Sequence, residues 1–152
     1  VRSRAFVDAA GTVRLPLNVT EGGRTLTGRL VSAFAGSGVH HIAFAAGDAA
    51  ASVDAARARG AALLKIPENY FDDLAARLPI DDATLELLRR HELLYDADAA
   101  GGAFRQAYTQ SFHDRFFFEL CERDGGYAGF GAANAAVRMA AQQREAGGSG
   151  SV

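Results

Sequence analysis

Val39-His40-His41-Ile42-Ala43-Phe44-Ala45, followed by Asp48 and an alanine-rich run from 49 to 59, reads as a strand passed directly to a helix. Asp48 is a favourable N-cap, and Gly60 a favourable C-terminal stop. Ala61 to Ile66 reads as a further strand, halted by Pro67. Helical patterns then cover 68–77 and 82–91. Three strands follow at Leu93–Asp96, Phe104–Thr109 and Arg115–Glu122. Glycines at 125, 126, 129 and 131 lead to a helix over 132–146. Upstream, 3–8 and 12–19 form a hairpin about Asp8-Ala9-Ala10-Gly11. A polar loop covers 20–29, and a short helix spans Leu30–Phe34. Gly36-Ser37-Gly38 breaks the chain before the first stretch. The order β-α-β-β-β, preceded by two strands without a helix of their own, implies a two-module α+β fold.

Composition narrows the function. With 152 residues, 49% of them hydrophobic, the chain is long enough to bury a core. A net charge of −2 offers no basic footprint for nucleic acid or an anionic membrane surface. No apolar run reaches the roughly 20 residues that span a bilayer. Cys121 is the single cysteine, so no disulfide forms within the chain, and a reducing cytoplasm is expected. Asn18-Val19-Thr20 matches a glycosylation sequon, but without a secretory signal the match carries little weight. The chain opens directly into a strand pattern, from which a segment of a longer protein is expected. Residues 147–152 are expected to form a flexible tail.

The informative residues are polar ones set in apolar strands. On 39–45, His41 shares a face with Val39 and Ala43, while Ile42 and Phe44 share the other and could pack under the next helix. In Arg115-Phe116-Phe117-Phe118-Glu119-Leu120-Cys121, a carboxylate interrupts a buried pattern, on the face of Phe117 and Cys121. In Phe104-Arg105-Gln106-Ala107-Tyr108-Thr109, Gln106 lies with Phe104 and Tyr108. If these faces meet, they collect an imidazole, a carboxylate, an amide and a phenol among aromatic rings, a mix suited to a metal and a small organic ligand. The alternative is that His41 is a satisfied core or edge residue and Glu119 a solvent-facing one. His91, at the end of a charged helix, reads as solvated; His113 sits near a loop. No phosphate-binding glycine loop or nucleophile elbow occurs.

At this level the chain resembles the 4-hydroxyphenylpyruvate dioxygenases. Gly38-Val39-His40-His41-Ile42-Ala43-Phe44 is similar to their second-histidine strand. Phe116-Phe117-Phe118-Glu119 with Glu122-Arg123 is similar to their glutamate-ligand strand. Gly129-Phe130-Gly131-Ala132-Ala133-Asn134 resembles the glycine-rich approach to their C-terminal helix. Leu15-Pro16-Leu17-Asn18 and Tyr70-Phe71-Asp72-Asp73-Leu74 match as well. Tyr70 to Arg77, Leu94-Tyr95-Asp96, Tyr108-Thr109-Gln110 and Gly131 to Arg138 further resemble the dioxygenase-like domain of bacterial two-domain 3-dehydroshikimate dehydratases.

The resemblance implies a vicinal-oxygen-chelate fold of paired βαβββ modules, the first incomplete in this chain. Residues 1–35 would close the first module and connect it, 36–146 would form the second with its C-terminal helix, and 147–152 the tail. It implies His41 and Glu119 as metal ligands, with a third ligand, a histidine, upstream of Val1. The implied cofactor is Fe(II), or another divalent metal; the implied partners are an aromatic 2-oxo acid and O₂, an upstream domain of the same polypeptide, and further copies in a homo-oligomer. Gln106 is the implied catalytic residue, and Ser3, Pro16, Asn18, Gln106 and Phe130 align with pocket positions. Three positions depart from the family: His40 and Leu26 replace glutamines, and Ala135 replaces a phenylalanine. They leave open a second role, as a catalytically divergent accessory domain of a dehydratase.

Overall fold

A computed structural model describes residues 2–21, 25–113 and 115–148. The chain falls into two compact units, Val1–His40 and His41–Val152. In the first unit, β1 (Arg2–Val7) and β2 (Arg14–Val19) pair antiparallel, with Ser3 opposite Asn18 and Ala5 opposite Pro16. The Asp8 carboxylate holds the turn, accepting from Val13 N at 2.8 Å and Thr12 Oγ1 at 2.8 Å. Gly11 supplies the positive φ of 71° that this turn needs. Helix α1 spans Leu26–Ala33, starting four residues earlier than the sequence suggests. Thr25 is the reason: its hydroxyl caps Gly28 N at 3.0 Å.

The second unit carries a four-stranded mixed sheet. Its elements are β3 (His41–Ala45), α2 (Ala49–Ala58), α3 (Glu68–Arg77), α4 (Asp82–His91), β4 (Leu94–Ala97), β5 (Ala103–Tyr108), β6 (Phe117–Asp124) and, after a 3-10 turn at Ala132–Asn134, α5 (Ala135–Gly148). The strand order is β3-β6-β5-β4. The last strand therefore returns beside the first and parallel to it, whereas β6, β5 and β4 run antiparallel.

Local chemistry sets the helix ends. Asp48 caps Ala51 N at 2.9 Å, and Asp81 caps Thr84 N at 2.9 Å. Arg89, Arg90 and His91 fill the last turn of α4, where the helix dipole favours cations. Tyr70, Phe71 and Leu74 of α3 join Val53 of α2, Leu88 of α4 and Leu94 of β4 in one core. Fully burying a leucine or phenylalanine contributes about 1.5–3 kcal/mol, so this cluster anchors the helices to the sheet.

Several expectations change. Residues 61–66 form no strand: β5 is already paired on both sides, so they meet only its end, through the Leu63–Thr109 bridge and Leu64 N to Tyr108 O at 2.8 Å. The first strand begins at His41, leaving Val39 and His40 outside it. Ile42 and Phe44 do not pack under α2, being 44% and 51% exposed. Helix α2 lies over β5 and β6 instead. Helix α5 continues through Gly147 and Gly148, so the expected tail begins no earlier than 149, and 149–152 lie outside the described residues.

Candidate metal centre

Strand pairing places the polar residues. His41 is registered against Phe117, and Glu119 against Tyr108, while Gln106 stands opposite Cys121. Register partners share a face, so His41, Phe117, Glu119, Cys121, Gln106 and Tyr108 all project to one side of the sheet. His41 Nε2 lies 3.5 Å from Glu119 Oε2. The His41 ring stacks on Phe117 with centroids 4.9 Å apart and planes 5° from parallel. Glu119 is 5% exposed.

A directed hydrogen-bond relay fixes the carboxylate. Glu119 Oε1 accepts from Gln106 Nε2 at 2.9 Å, and the same amide nitrogen reaches Tyr108 Oη at 2.7 Å. An ionised carboxylate only accepts, so the Gln106 amide must present its NH₂ here and its oxygen on the far side. That oxygen accepts from Asn134 Nδ2 at 2.9 Å. Asn134 Oδ1 in turn accepts from Tyr70 Oη at 3.2 Å, and Tyr70 Oη accepts from Tyr95 N at 2.8 Å. Tyr70 Oη stands equally 3.2 Å from the Tyr95 carbonyl oxygen, so its single proton is shared between that carbonyl and Asn134 Oδ1, while the amide orientations of Gln106 and Asn134 follow from Glu119. Gly131, at φ 61°, lies directly against Gln106: a Cβ there would stand 2.8 Å from Gln106 Cδ.

Burial governs the electrostatics. It depresses the His41 pKa to about 4, with the Arg138 charge adding to the effect. An ion pair with Glu119 would instead raise it. The 3.5 Å separation exceeds an ordinary hydrogen bond, and burial wins, so the imidazole is neutral near pH 7. Burial also raises the Glu119 pKa, opposed by the Gln106 hydrogen bond and the charges of Arg138 and Arg123.

The donor set suits a divalent cation. A neutral imidazole nitrogen and a carboxylate oxygen are typical ligands of non-haem iron and of zinc. Metal–ligand bonds of about 2.0–2.2 Å let one ion touch two atoms 3.5 Å apart. Among the described residues, no group of three His, Cys, Asp or Glu side chains forms a metal cage.

The other expected residues are distributed as follows. Ser3 Oγ donates to Asn18 Oδ1 at 2.6 Å across the hairpin of the first unit. Gln106, 3% exposed, sits inside the relay of the second. Phe130, 41% exposed, precedes Gly131 in the loop before α5. Leu26 belongs to α1, and Ala135 opens α5. His91 departs from its expected solvated setting: its side chain is 12% exposed and its Nδ1 lies 3.2 Å from Asp54 Oδ1. His113 is a left-handed turn residue at φ 50°. Sequence reasoning gave no site role to Tyr70, Asn134 or Arg138. Two clefts of about 300 and 370 Å³ open elsewhere, one beside Arg105 and Glu122 and one beside Arg77 and Arg144; neither is lined by His41 or Glu119.

No protein-family profile matches the chain. It is 50% identical over 144 residues to a 3-dehydroshikimate dehydratase of Pseudomonas putida, covering 95% of this chain and 23% of the relative. A Pseudomonas aeruginosa protein of the same name is 52% identical over 141 residues, covering 93% and 22%. A 4-hydroxyphenylpyruvate dioxygenase of Legionella pneumophila is 29% identical over 145 residues, covering 94% and 41%. Among solved structures, a xylose isomerase-like TIM barrel/4-hydroxyphenylpyruvate dioxygenase fusion protein superimposes with a TM-score of 0.81 at 48% identity, covering 94% of this chain and 23% of its own. A mutant of 4-hydroxymandelate synthase from Streptomyces coelicolor gives 0.76 at 29% identity, covering 95% and 41%. The chain thus spans under a quarter of the dehydratases and two-fifths of the dioxygenase. No helix among the described residues is long and apolar enough to cross a membrane. In sequence the chain is a homologue of part of the 3-dehydroshikimate dehydratases and, more distantly, of part of the 4-hydroxyphenylpyruvate dioxygenases, and in fold it matches part of the TIM barrel/4-hydroxyphenylpyruvate dioxygenase fusion protein.

Proposed function

We propose that this chain is the C-terminal, dioxygenase-like part of a two-domain polypeptide of vicinal-oxygen-chelate fold, in which His41 and Glu119 supply two of three protein ligands to Fe(II). The third ligand is a histidine on an upstream strand, and the substrate is an aromatic 2-oxo acid. The observation that carries this reading is His41 Nε2 facing Glu119 Oε2 at 3.5 Å on one sheet face, with the carboxylate held by Gln106. Bound Fe(II) would supply oxygen activation. The residues do the rest. The neutral imidazole keeps its nitrogen lone pair for the metal. Gln106 fixes which carboxylate oxygen is presented; both its amide hydrogens are used, so a substrate hydroxyl would meet the second lone pair of its oxygen. Phe117 and Tyr108 furnish the aromatic wall, and Phe130 is assigned to substrate contact.

The test is oxygen uptake by the polypeptide extended upstream, loaded with Fe(II) and offered aromatic 2-oxo acids, 4-hydroxyphenylpyruvate first. Uptake that disappears in Glu119→Gln supports the proposal; iron-loaded protein that consumes no oxygen with any of them refutes the oxidation. A second reading has its own support in His40, Leu26 and Ala135, which depart from the family pattern. In it the domain serves a dehydratase barrel and has lost oxidation. Dehydratase activity that requires the domain yet survives His41→Ala and Glu119→Ala would favour it.

A further inference from the structure

Arg138, on α5, is a half-buried cation beside the proposed metal pair. Its guanidinium carbon lies 5.0 Å from the Phe117 ring centroid and 5.7 Å from that of Tyr108. Phe117 is the same ring on which His41 stacks. Arg138 Nη1 donates to Gln142 Oε1 at 2.7 Å. Among the described residues no carboxylate stands within ion-pair distance of it, whereas Arg57, Arg89 and Arg105 each have one. A guanidinium carries five donor hydrogens in a planar fork, so most of its hydrogen-bonding capacity is not met by Gln142. Its charge also acts on both His41 and Glu119.

The charge count makes this placement informative. A divalent ion on Glu119 with Arg138 close by gives a site with excess positive charge inside partly desolvated surroundings. Like charges in such a setting are costly unless an anion lies among them. The aromatic floor of Phe117 and Tyr108 suits a flat ligand, and the fork of Arg138 suits a planar carboxylate held in two bonds.

We infer that Arg138 is a specificity-determining residue that binds a carboxylate of the ligand, so the site takes a small aromatic compound bearing two anionic groups, one for the metal and one for Arg138. The inference rests on the proposed metal pair for the first group and on Arg138 alone for the second. It ranks an aromatic 2-oxo acid with an additional ring carboxylate above one with a ring hydroxyl.

The test uses benzoate as probe and benzamide as its neutral counterpart, titrated into the full chain and followed by NMR of the arginine Nε–H and histidine ring signals. Benzoate should shift Arg138 Nε–H and the His41 ring saturably, and bind about 10-fold or more tightly than benzamide. Arg138→Gln should weaken benzoate by roughly 10- to 100-fold, the range of a charge-assisted pair, and leave benzamide unchanged. Arg138→Lys should give an intermediate loss. The wild-type shifts need no variant, so a poorly folded Arg138→Gln protein does not decide the matter. Equal binding of the two probes, or benzoate binding that moves other arginines and not Arg138, overturns the inference. Fe(II) titration of the upstream-extended polypeptide separates the two readings: iron binding that survives Glu119→Gln, beside an intact benzoate response, removes the metal pair but not the carboxylate site. Lost benzoate response with Glu119-dependent iron binding removes the carboxylate site alone.

Discussion

Replacing Gly131 by alanine strikes the relay behind Glu119 without touching Glu119. Two costs add. At φ 61° an L-residue in the left-handed region loses about 1–2 kcal/mol. The new methyl also collides with the Gln106 carboxamide, at 2.8 Å from both Cδ and Nε2. Gln106 is 3% exposed and must turn, which breaks the bonds from Asn134 and to Glu119. Each buried polar group left unsatisfied costs about 1–3 kcal/mol. With one such group left unsatisfied after relaxation, the expected destabilisation is about 2–5 kcal/mol, read from urea unfolding of the chain. Gly126→Ala is the control: Gly126 has φ 77° with nothing within 4 Å of a built Cβ, so it pays only the conformational cost. In a Gln106→Ala background the collision is gone, and Gly131→Ala should fall to the level of that control. A Gly131→Ala loss equal to that of Gly126→Ala in the wild-type background would refute the reasoning.

Three further outcomes follow from the same geometry. Asn134→Ala should destabilise by about 1–3 kcal/mol, since it orphans the Gln106 oxygen and removes one partner of Tyr70; unchanged urea midpoints would contradict this. Asn134→Asp should be worse at pH 7, where a carboxylate faces the Gln106 oxygen, and should recover as the pH falls and the acid becomes a donor; stability that falls in parallel with the wild type contradicts it. Burial holds Tyr70, and burial with the Asp96 hydrogen bond holds Tyr127, at about 12 against an ordinary 10. Folded values raised above unfolded ones give stability that is complete below about pH 10 and lost as pH climbs towards 12. Phenolate absorbance from these two tyrosines at pH 10 in the folded chain would contradict that.

Much of the site was legible because strand parity is a hard constraint. Side chains alternate, so once 103–108 and 117–124 are strands, Gln106, Tyr108 and Glu119 can share a face. His41 joined them because β6 returns parallel to β3, a pairing that alternation alone does not reveal. Capping residues made the helices equally readable, as Asp48 and Asp81 show. Residues 61–66 were misread because their β-like composition reflects burial of Leu64 and Ile66 rather than a free strand edge. Tyr70 and Asn134 carried no local signal. They lie 64 positions apart, and their bond exists only after α3 and the 3-10 turn have packed together. Arg138 was hidden likewise: on a helix, an arginine reads as solvent-facing until the rings beneath it are placed.

The central claim is that His41 and Glu119 hold a metal. Its most direct test is anaerobic Fe(II) titration of the upstream-extended polypeptide by calorimetry, comparing wild type with His41→Gln and Glu119→Gln. The account predicts one ion per chain in the wild type and saturable binding lost in either variant, with each variant still folded by its urea transition. Failure of the wild type to bind, or one ion bound equally well by all three proteins, would contradict it.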